Sequence, residues 1–222
     1  MPQMIPEITE EVLTPRVVEL LKRKSTKELV HRYFNPHKNE PFSGDLFHTL
    51  PTNDFDCFGN DDLLSLNLLD EPVTAQQIKI LTSGKFDDLL RNIDPNVDIT
   101  ELDGSPYEHA INLWIALREV HGFGPTRVSK LLARKRPKLL PIRDQIVNDQ
   151  LQIKGYSWWK SLAGTMRNTS VKELLRELSP SKATQAPTPL RVLDVAIWMH
   201  GSRSSAAREV RRQFGVNDNY LT

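Results

Sequence analysis

Only one cysteine, Cys57, stands among the 222 residues, which excludes an internal disulfide and any four-cysteine iron–sulfur cluster. No apolar run approaches the roughly 18–20 residues that a membrane-crossing helix needs, so no membrane partner is expected. There is no internal repeat and no strictly alternating stretch long enough to argue for a sheet. The opening MPQMIPEITEEV is acidic and lacks an apolar targeting segment, so a cytoplasmic location is expected, nucleoid-associated if the chain binds DNA. His31, His37 and His48 are scattered without ligand spacing. The stretch from Asp54 to Gly59 imitates the start of a calcium loop but fails it. Phe58 falls at the fifth ligand position, and Ser65 at the twelfth, which requires glutamate. No metal site is expected.

What is present fits an all-α protein. Hydrophobic residues make up 39% and charged residues 26%, enough to build one large or two small helical lobes. The net charge of +1 hides an asymmetry: residues 1–100 hold 10 Lys and Arg against 17 Asp and Glu (net −7), whereas residues 101–222 hold 19 against 11 (net +8). On that basis only the second half would face a polyanion.

In the first half, a helix is expected from Pro15 with Thr14 as its cap. A second opens on the box Ser25-Thr26-Lys27-Glu28, and residues 35–60 form mostly loop. Asn60 and Thr74 are expected to cap leucine-rich helices, with another at residues 85–90. The acidic stretch Asp94–Asp103, ending at Gly104, reads as the boundary between an acidic helical region (1–104) and a basic region (105–222), whose first helix Ser105 would cap. Further on, residues 144–152, the stretch from Trp158 to Met166, residues 170–178 and Leu190–His200 all read as helices. Arg203, Arg208, Arg211 and Arg212 suggest a second basic surface.

The most informative stretch is VHGFGPTRVSKLLARKRPKLLPIRDQIV, residues 120–147. Ile111, Trp114, Ile115 and Leu117 precede it at helical spacing, and Val128, Leu131 and Leu132 continue that spacing beyond Gly122-Phe123-Gly124. Pro125 suits a first helical turn, where its missing N–H costs nothing. The glycines permit positive φ and close approach of the backbone to a ligand. The result is a helix–hairpin–helix whose free amides suit a phosphate. From His121 to Arg143 there are seven basic residues (Arg127, Lys130, Arg134, Lys135, Arg136, Lys138, Arg143) and no acid, a pattern expected of backbone-directed nucleic-acid binding. The plainer alternative is a solvated helix face beside an ordinary tight turn.

This stretch resembles the helix–hairpin–helix DNA glycosylase superfamily, in which a glycine-rich hairpin is followed by an apolar run and a catalytic aspartate opening the next helix. Lyase-type members carry a lysine two residues after the second glycine and the aspartate 18 residues beyond it. Thr126 and Asp144 occupy those two positions here. The resemblance covers about thirty residues directly. Arg143 stands where an apolar residue is usual, and Ile146 where many members have histidine. The segment LRVLDVAIWMHG and the whole layout are also similar to an uncharacterised bacterial family built on the same core.

The resemblance implies a two-lobed helical bundle of the DNA glycosylase type that acts on DNA. Asp144 would be the catalytic carboxylate, stabilising the oxocarbenium-like state as a damaged or modified base leaves C1′, or steering water to it. Thr126 cannot form a Schiff base, so the activity would be monofunctional, without a lyase step. Gly122, Phe123, Gly124, Thr126 and Arg127 would clamp the backbone, with no cofactor beyond a monovalent cation on the hairpin carbonyls. Lys130 and Arg134 would add attraction, and Gln145 would contact a base or phosphate. Trp158 and Tyr156 are candidate walls for a flipped base. A non-catalytic DNA-binding protein with the same hairpin is the alternative, and a protein-interaction module is a third. Asp144 could equally be a plain N-cap.

Overall fold

The computed structural model describes residues 8–44, 46–50, 54–153, 158–180 and 186–216. Among them the chain is all-α and contains no strand. Its helices are α1 (Glu10–Leu21), α2 (Thr26–Phe34), α3 (Leu46–Thr49), α4 (Asn60–Asn67), α5 (Ala75–Leu81), α6 (Asp87–Arg91), α7 (Gly104–Arg118), α8 (Pro125–Lys135), α9 (Gln145–Leu151), α10 (Trp158–Arg167), α11 (Thr169–Leu178), α12 (Pro189–Gly201) and α13 (Ser205–Gln213), with a 3-10 turn at Ile99–Glu101. No described helix is long and apolar enough to cross a membrane.

The chain divides into two compact units, residues 1–44 with 145–222 and residues 45–144. Gly104 is therefore not a boundary, and the expected 1–104/105–222 division is corrected. The acidic stretch before Gly104 is packed rather than linking. Ile99 and Leu102 are buried, Ile99 N donates to Lys138 O at 2.9 Å, and the Asp98 side chain accepts from Thr100 N at 2.9 Å.

In the first unit α12 is the central element. Leu190, Val192, Leu193, Val195, Ala196, Ile197 and Met199 are all buried, as expected of a helix apolar on every side. It opens with Pro189 in its first turn and with the Thr188 side chain accepting from Arg191 N at 3.3 Å. Against it pack α1, α2, α9, α11 and α13. A Cβ on Gly201 would lie 2.6 Å from Ile146 Cγ2 and 2.7 Å from Gln150 Cγ, so glycine permits the close approach of α9. Thr26 Oγ1 and His200 Nε2, 2.7 Å apart, tie α2 to α12.

Several local expectations shift. α1 begins at Glu10 and carries Pro15 inside it, while Thr14 Oγ1 bonds Thr165 Oγ1 at 2.9 Å instead of capping. Ser25 adopts φ 62° and donates to Phe214 O at 3.1 Å, so it makes no side-chain cap. Gly59 rather than Asn60 precedes α4, and Asp103 rather than Ser105 caps α7. Thr74 caps α5 as expected, and Gln77 completes a box with it, its Oε1 accepting from Thr74 N at 2.8 Å.

In the second unit α8 packs on α4 and α7. Phe47, Ala133 and Ile142 form a small apolar cluster with Leu69 against it. The chain between α2 and α4 is mostly loop, as its Pro, Asn, Gly and Asp content implies, apart from the single turn of α3.

Candidate nucleic-acid interface

The turn between α7 and α8 forms where the Gly-Phe-Gly sequence places it. Gly122 adopts φ +79°, the left-handed region that glycine enters freely. Gly124 does not: its φ is −72°, and it serves as the N-cap residue of α8, with Pro125 following in the first turn. A Cβ on Gly122 would come within 2.8 Å of Gln77 Nε2, whereas one on Gly124 would meet nothing within 4 Å. Phe123 is buried, and its N–H donates to Val120 O at 2.9 Å. Phe123 is therefore the plug of the turn and offers no ring to a ligand. Gly124, Thr126 and Arg127 are half-exposed, and Gly122 is exposed. The first-turn amides of Thr126 and Arg127 have no acceptor one helical turn earlier, and the positive end of the α8 dipole lies beside them.

The carbonyls of the turn carry donors from the protein itself. Gln77 Nε2 donates to His121 O at 2.8 Å, and Arg127 Nη1 to Gly122 O at 3.0 Å. Arg118 Nη1 donates to Phe123 O. The monovalent cation implied for these oxygens would therefore sit beside two guanidinium groups. Arg127 also lies 5.5 Å over the Phe123 ring.

The basic run is the larger correction. Arg134, Lys135 and Arg136 are each 0% exposed. Arg134 donates to Phe47 O (3.0 Å), His48 O (2.7 Å) and Leu50 O (2.9 Å), and its Nε lies 3.3 Å from Asp62 Oδ1. The Lys135 ammonium pairs with the other Asp62 oxygen and donates to Asp54 O at 2.6 Å. Arg136 donates to Ile93 O and Phe55 O, both at 2.9 Å. These side chains hold the carbonyls of a loop that has too few apolar residues to pack itself, and they satisfy groups that burial would otherwise penalise. Burial pushes the Arg136 guanidinium down to about 10, which still leaves it charged at neutral pH. It also pushes the Lys135 ammonium down, opposed by the Asp62 charge. Arg134 is thus a structural cation and offers no contact to DNA.

Lys130 and Arg127 are less enclosed. Lys130 Nζ donates to Leu69 O at 2.8 Å and lies 3.4 Å from Glu71 Oε1, while Arg127 Nε lies 3.2 Å from Glu71 Oε2. Lys138 is exposed, and Arg143 is buried. Within this unit two carboxylates of the acidic half, Asp62 and Glu71, therefore meet the cations of α8.

Asp144 is half-buried and directly precedes α9, where the sequence places it. Ser129 of α8 holds the segment that leads to it. The Ser129 hydroxyl accepts from Arg143 N at 2.9 Å and lies 2.9 Å from both Arg143 O and Thr126 O, either of which it can donate to. Sequence reading passed over Ser129, whose only signal was a polar residue set among Val128, Leu131 and Leu132. Gln77 and Glu71 were also missed; Arg118 gave no signal at all.

Gln145 is exposed, and its side-chain amide donates to Asp149 Oδ1 at 2.6 Å, the usual partner one helical turn on. Trp158 is 3% exposed and belongs to the core of its unit, so it does not form an open wall. Tyr156 lies outside the described residues. The second basic surface is reduced as well, because Arg211 is buried and donates to Met199 O and Ser202 O, and Arg212 pairs with Glu209 at 2.8 Å.

Comparison with curated proteins finds no match, and neither does comparison with solved structures. A family model does match, over residues 26–201, a span that includes the hairpin, Asp62, Glu71 and Asp144. The chain belongs to that family, DUF6308, a family of unknown function.

Proposed function

We propose that the chain binds the phosphate backbone of DNA through the turn between α7 and α8, and that its fold is of the helix–hairpin–helix DNA glycosylase type. The observation that carries this reading is the left-handed Gly122 followed by the half-exposed first turn of α8. Outward amides and a helix dipole at that point favour an anion. The joining of the chain's start and end in one unit accords with the same fold type.

Burial of the cations changes the expected strength. Seven exposed basic residues would give a slope of log affinity against log salt of about −6, taking roughly 0.9 per phosphate contact. With Arg134, Lys135, Arg136 and Arg143 internal and Arg127 and Lys130 paired, Lys138 alone of the seven is exposed, and the slope is expected to be on the order of −1. The test is binding of a labelled duplex across a salt series, with Thr126→Glu beside the parent. A carboxylate in the first turn suits the helix and competes with phosphate for its amides. Binding by the parent and loss in Thr126→Glu supports the reading. Equal binding by both, or no binding at low salt by the parent and none after Glu71 is neutralised, refutes it.

A second reading adds N-glycosidic bond cleavage at Asp144. It is supported by the Ser129 bonds, which fix the residue before Asp144 and so aim a half-buried carboxylate at the start of α9. Hot-alkali treatment of duplexes bearing damaged bases reads it directly. Strand breaks with the parent and none with Asp144→Asn would establish the enzyme. Breaks unchanged in Asp144→Asn would remove Asp144 from the chemistry.

A further inference from the structure

The turn after α4 delivers a carboxylate onto the two cations of α8 that lie closest to the hairpin. Asp70 takes φ 59°, and Glu71 N reaches back to Leu66 O at 3.0 Å, closing a left-handed helix terminus. That closure sets Glu71 over α8, with Oε2 at 3.2 Å from Arg127 Nε and Oε1 at 3.4 Å from Lys130 Nζ. Arg127 and Lys130 are three residues apart and so share one helix face. The same segment continues to the hairpin itself: Leu69 O accepts from Lys130 at 2.8 Å, and Gln77, fixed by its box with Thr74, donates to His121 O at 2.8 Å. Residues 69–77 thus run as a strap from Lys130 to the glycine turn.

We propose that Glu71 is an internal anion standing where a phosphate would stand, so that the strap 69–77 restrains the hairpin until a polyanion displaces the carboxylate. This rests on the phosphate-binding reading above and supplies its regulation. The three side chains are 12–18% exposed, unlike Asp62 and its fully enclosed partners, so water reaches the pair and the attraction is screened. Arg127 keeps its bond to Gly122 O and its place over Phe123 when Glu71 leaves, so release does not dismantle the turn. One phosphate gains little by replacing one carboxylate. A duplex gains more, because each cation that reaches its backbone also frees a condensed counterion.

The experiment measures binding of a fluorescein-labelled DNA duplex by Glu71→Gln across a salt series, with thermal midpoints recorded for every variant. Glu108→Gln is the control: Glu108 is exposed on α7, and its neutralisation changes the net charge by the same amount. The expected result is roughly tenfold tighter binding by Glu71→Gln, with a slope steeper by about 1–2, while Glu108→Gln leaves the slope unchanged. Adding Arg127→Ala and Lys130→Ala to Glu71→Gln erases the gain. Binding by the parent that Glu71→Gln does not exceed, or exceeds no more than Glu108→Gln does, overturns the inference and leaves the phosphate site standing. No binding by the parent or by Glu71→Gln overturns both. Binding by Glu71→Gln alone is the strongest support. Should Glu71→Gln not fold, Glu71→Asp, one methylene too short to span both cations, is read the same way, and no rise in its affinity overturns the inference.

Discussion

Asp62→Asn is the perturbation that separates a structural basic run from a binding one. Asp62 is 1% exposed and meets Arg134 and Lys135, both 0% exposed, while its Oδ2 accepts from Gly59 N at 2.9 Å. Asparagine keeps the size and can keep the bond to Gly59, but its amide nitrogen then faces Arg134 Nε, so the change removes the charge and one acceptor. Two cations would then stand in the interior without a counter-charge. Breaking a buried pair in this way costs about 3–5 kcal/mol. The carbonyls that Arg134 and Lys135 also reach are dipoles and soften the loss, which places the expectation near 3 kcal/mol, a large fraction of a domain's stability. Urea unfolding is the assay: the midpoint should fall with the slope m unchanged, since no surface is newly exposed in the native state. The partly exposed Glu71 pair gives the contrast, with Glu71→Gln costing under about 1 kcal/mol.

A buried ion pair can often be exchanged for apolar residues without loss, but this one should resist. Arg134→Met with Asp62→Leu removes this pair but leaves the buried Lys135 without its counter-charge, and it takes the Arg134 donor from the carbonyls of Phe47, His48 and Leu50. Each orphaned buried acceptor costs about 1–3 kcal/mol, so the apolar pair should fare no better than Asp62→Asn. Full recovery of stability by the apolar pair would refute the argument that these cations exist to hold the loop. So would a loss under about 1 kcal/mol in Asp62→Asn.

Two further outcomes follow from groups elsewhere in the fold. Burial first, and then the charges of Arg23 and Arg211, push His200 down from its ordinary 6.5 to about 4. Its folded form stays neutral where the unfolded form protonates, so stability is complete above pH 6.5 and is lost as pH falls toward 4. The whole loss is roughly 3 kcal/mol at 1.36 kcal/mol per tenfold shift. His200→Asn should flatten that part of the urea midpoint's pH dependence, and an unchanged slope between pH 6.5 and 4 would contradict it. The two hairpin glycines should also behave differently. Gly122→Ala forces alanine to φ +79° and displaces Gln77 from His121 O, costing about 1–2 kcal/mol. Gly124→Ala sits at φ −72° in open space and loses only the preference for glycine at an N-cap, about 0.5 kcal/mol. Equal thermal midpoints for the two variants would reject the distinction.

The parts of the fold that were legible in the sequence are those set by local chemistry. Pro125 starts α8 because a first turn has no use for the missing N–H, and Thr74 caps α5 because its hydroxyl needs only an amide of the helix's own first turn. The apolar run of α12 announces a core helix by itself. The boundary expected at Gly104 failed for the opposite reason. Residues 94–103 have a linker's composition, yet Ile99 and Leu102 are buried, and Ile99 N bonds the backbone of Lys138, far off in sequence. Of the candidate site, the left-handed Gly122 and the position of Asp144 ahead of α9 were readable. The supports were not, since Arg118, Gln77, Ser129 and Glu71 act through contacts that no spacing rule encodes.

The basic run shows why reading a charge pattern along the chain can mislead in a particular direction. What made residues 121–143 resemble a nucleic-acid footprint was the lack of any acid among seven cations. A segment with no acid of its own has two ways to neutralise cations on a helix that packs into a core. Its counter-charges come from a partner molecule, or they come from elsewhere in the same chain. Here Asp62 and Glu71 lie in the acidic half, and α4 packs against α8 to bring them in. The opposite net charges of the two halves of the sequence were therefore evidence for internal pairing as much as for an external polyanion. The exposures of the individual side chains decide between the two, residue by residue: Asp62 settles Arg134 and Lys135 as internal, whereas the more accessible Glu71 leaves Arg127 and Lys130 within reach of a competitor.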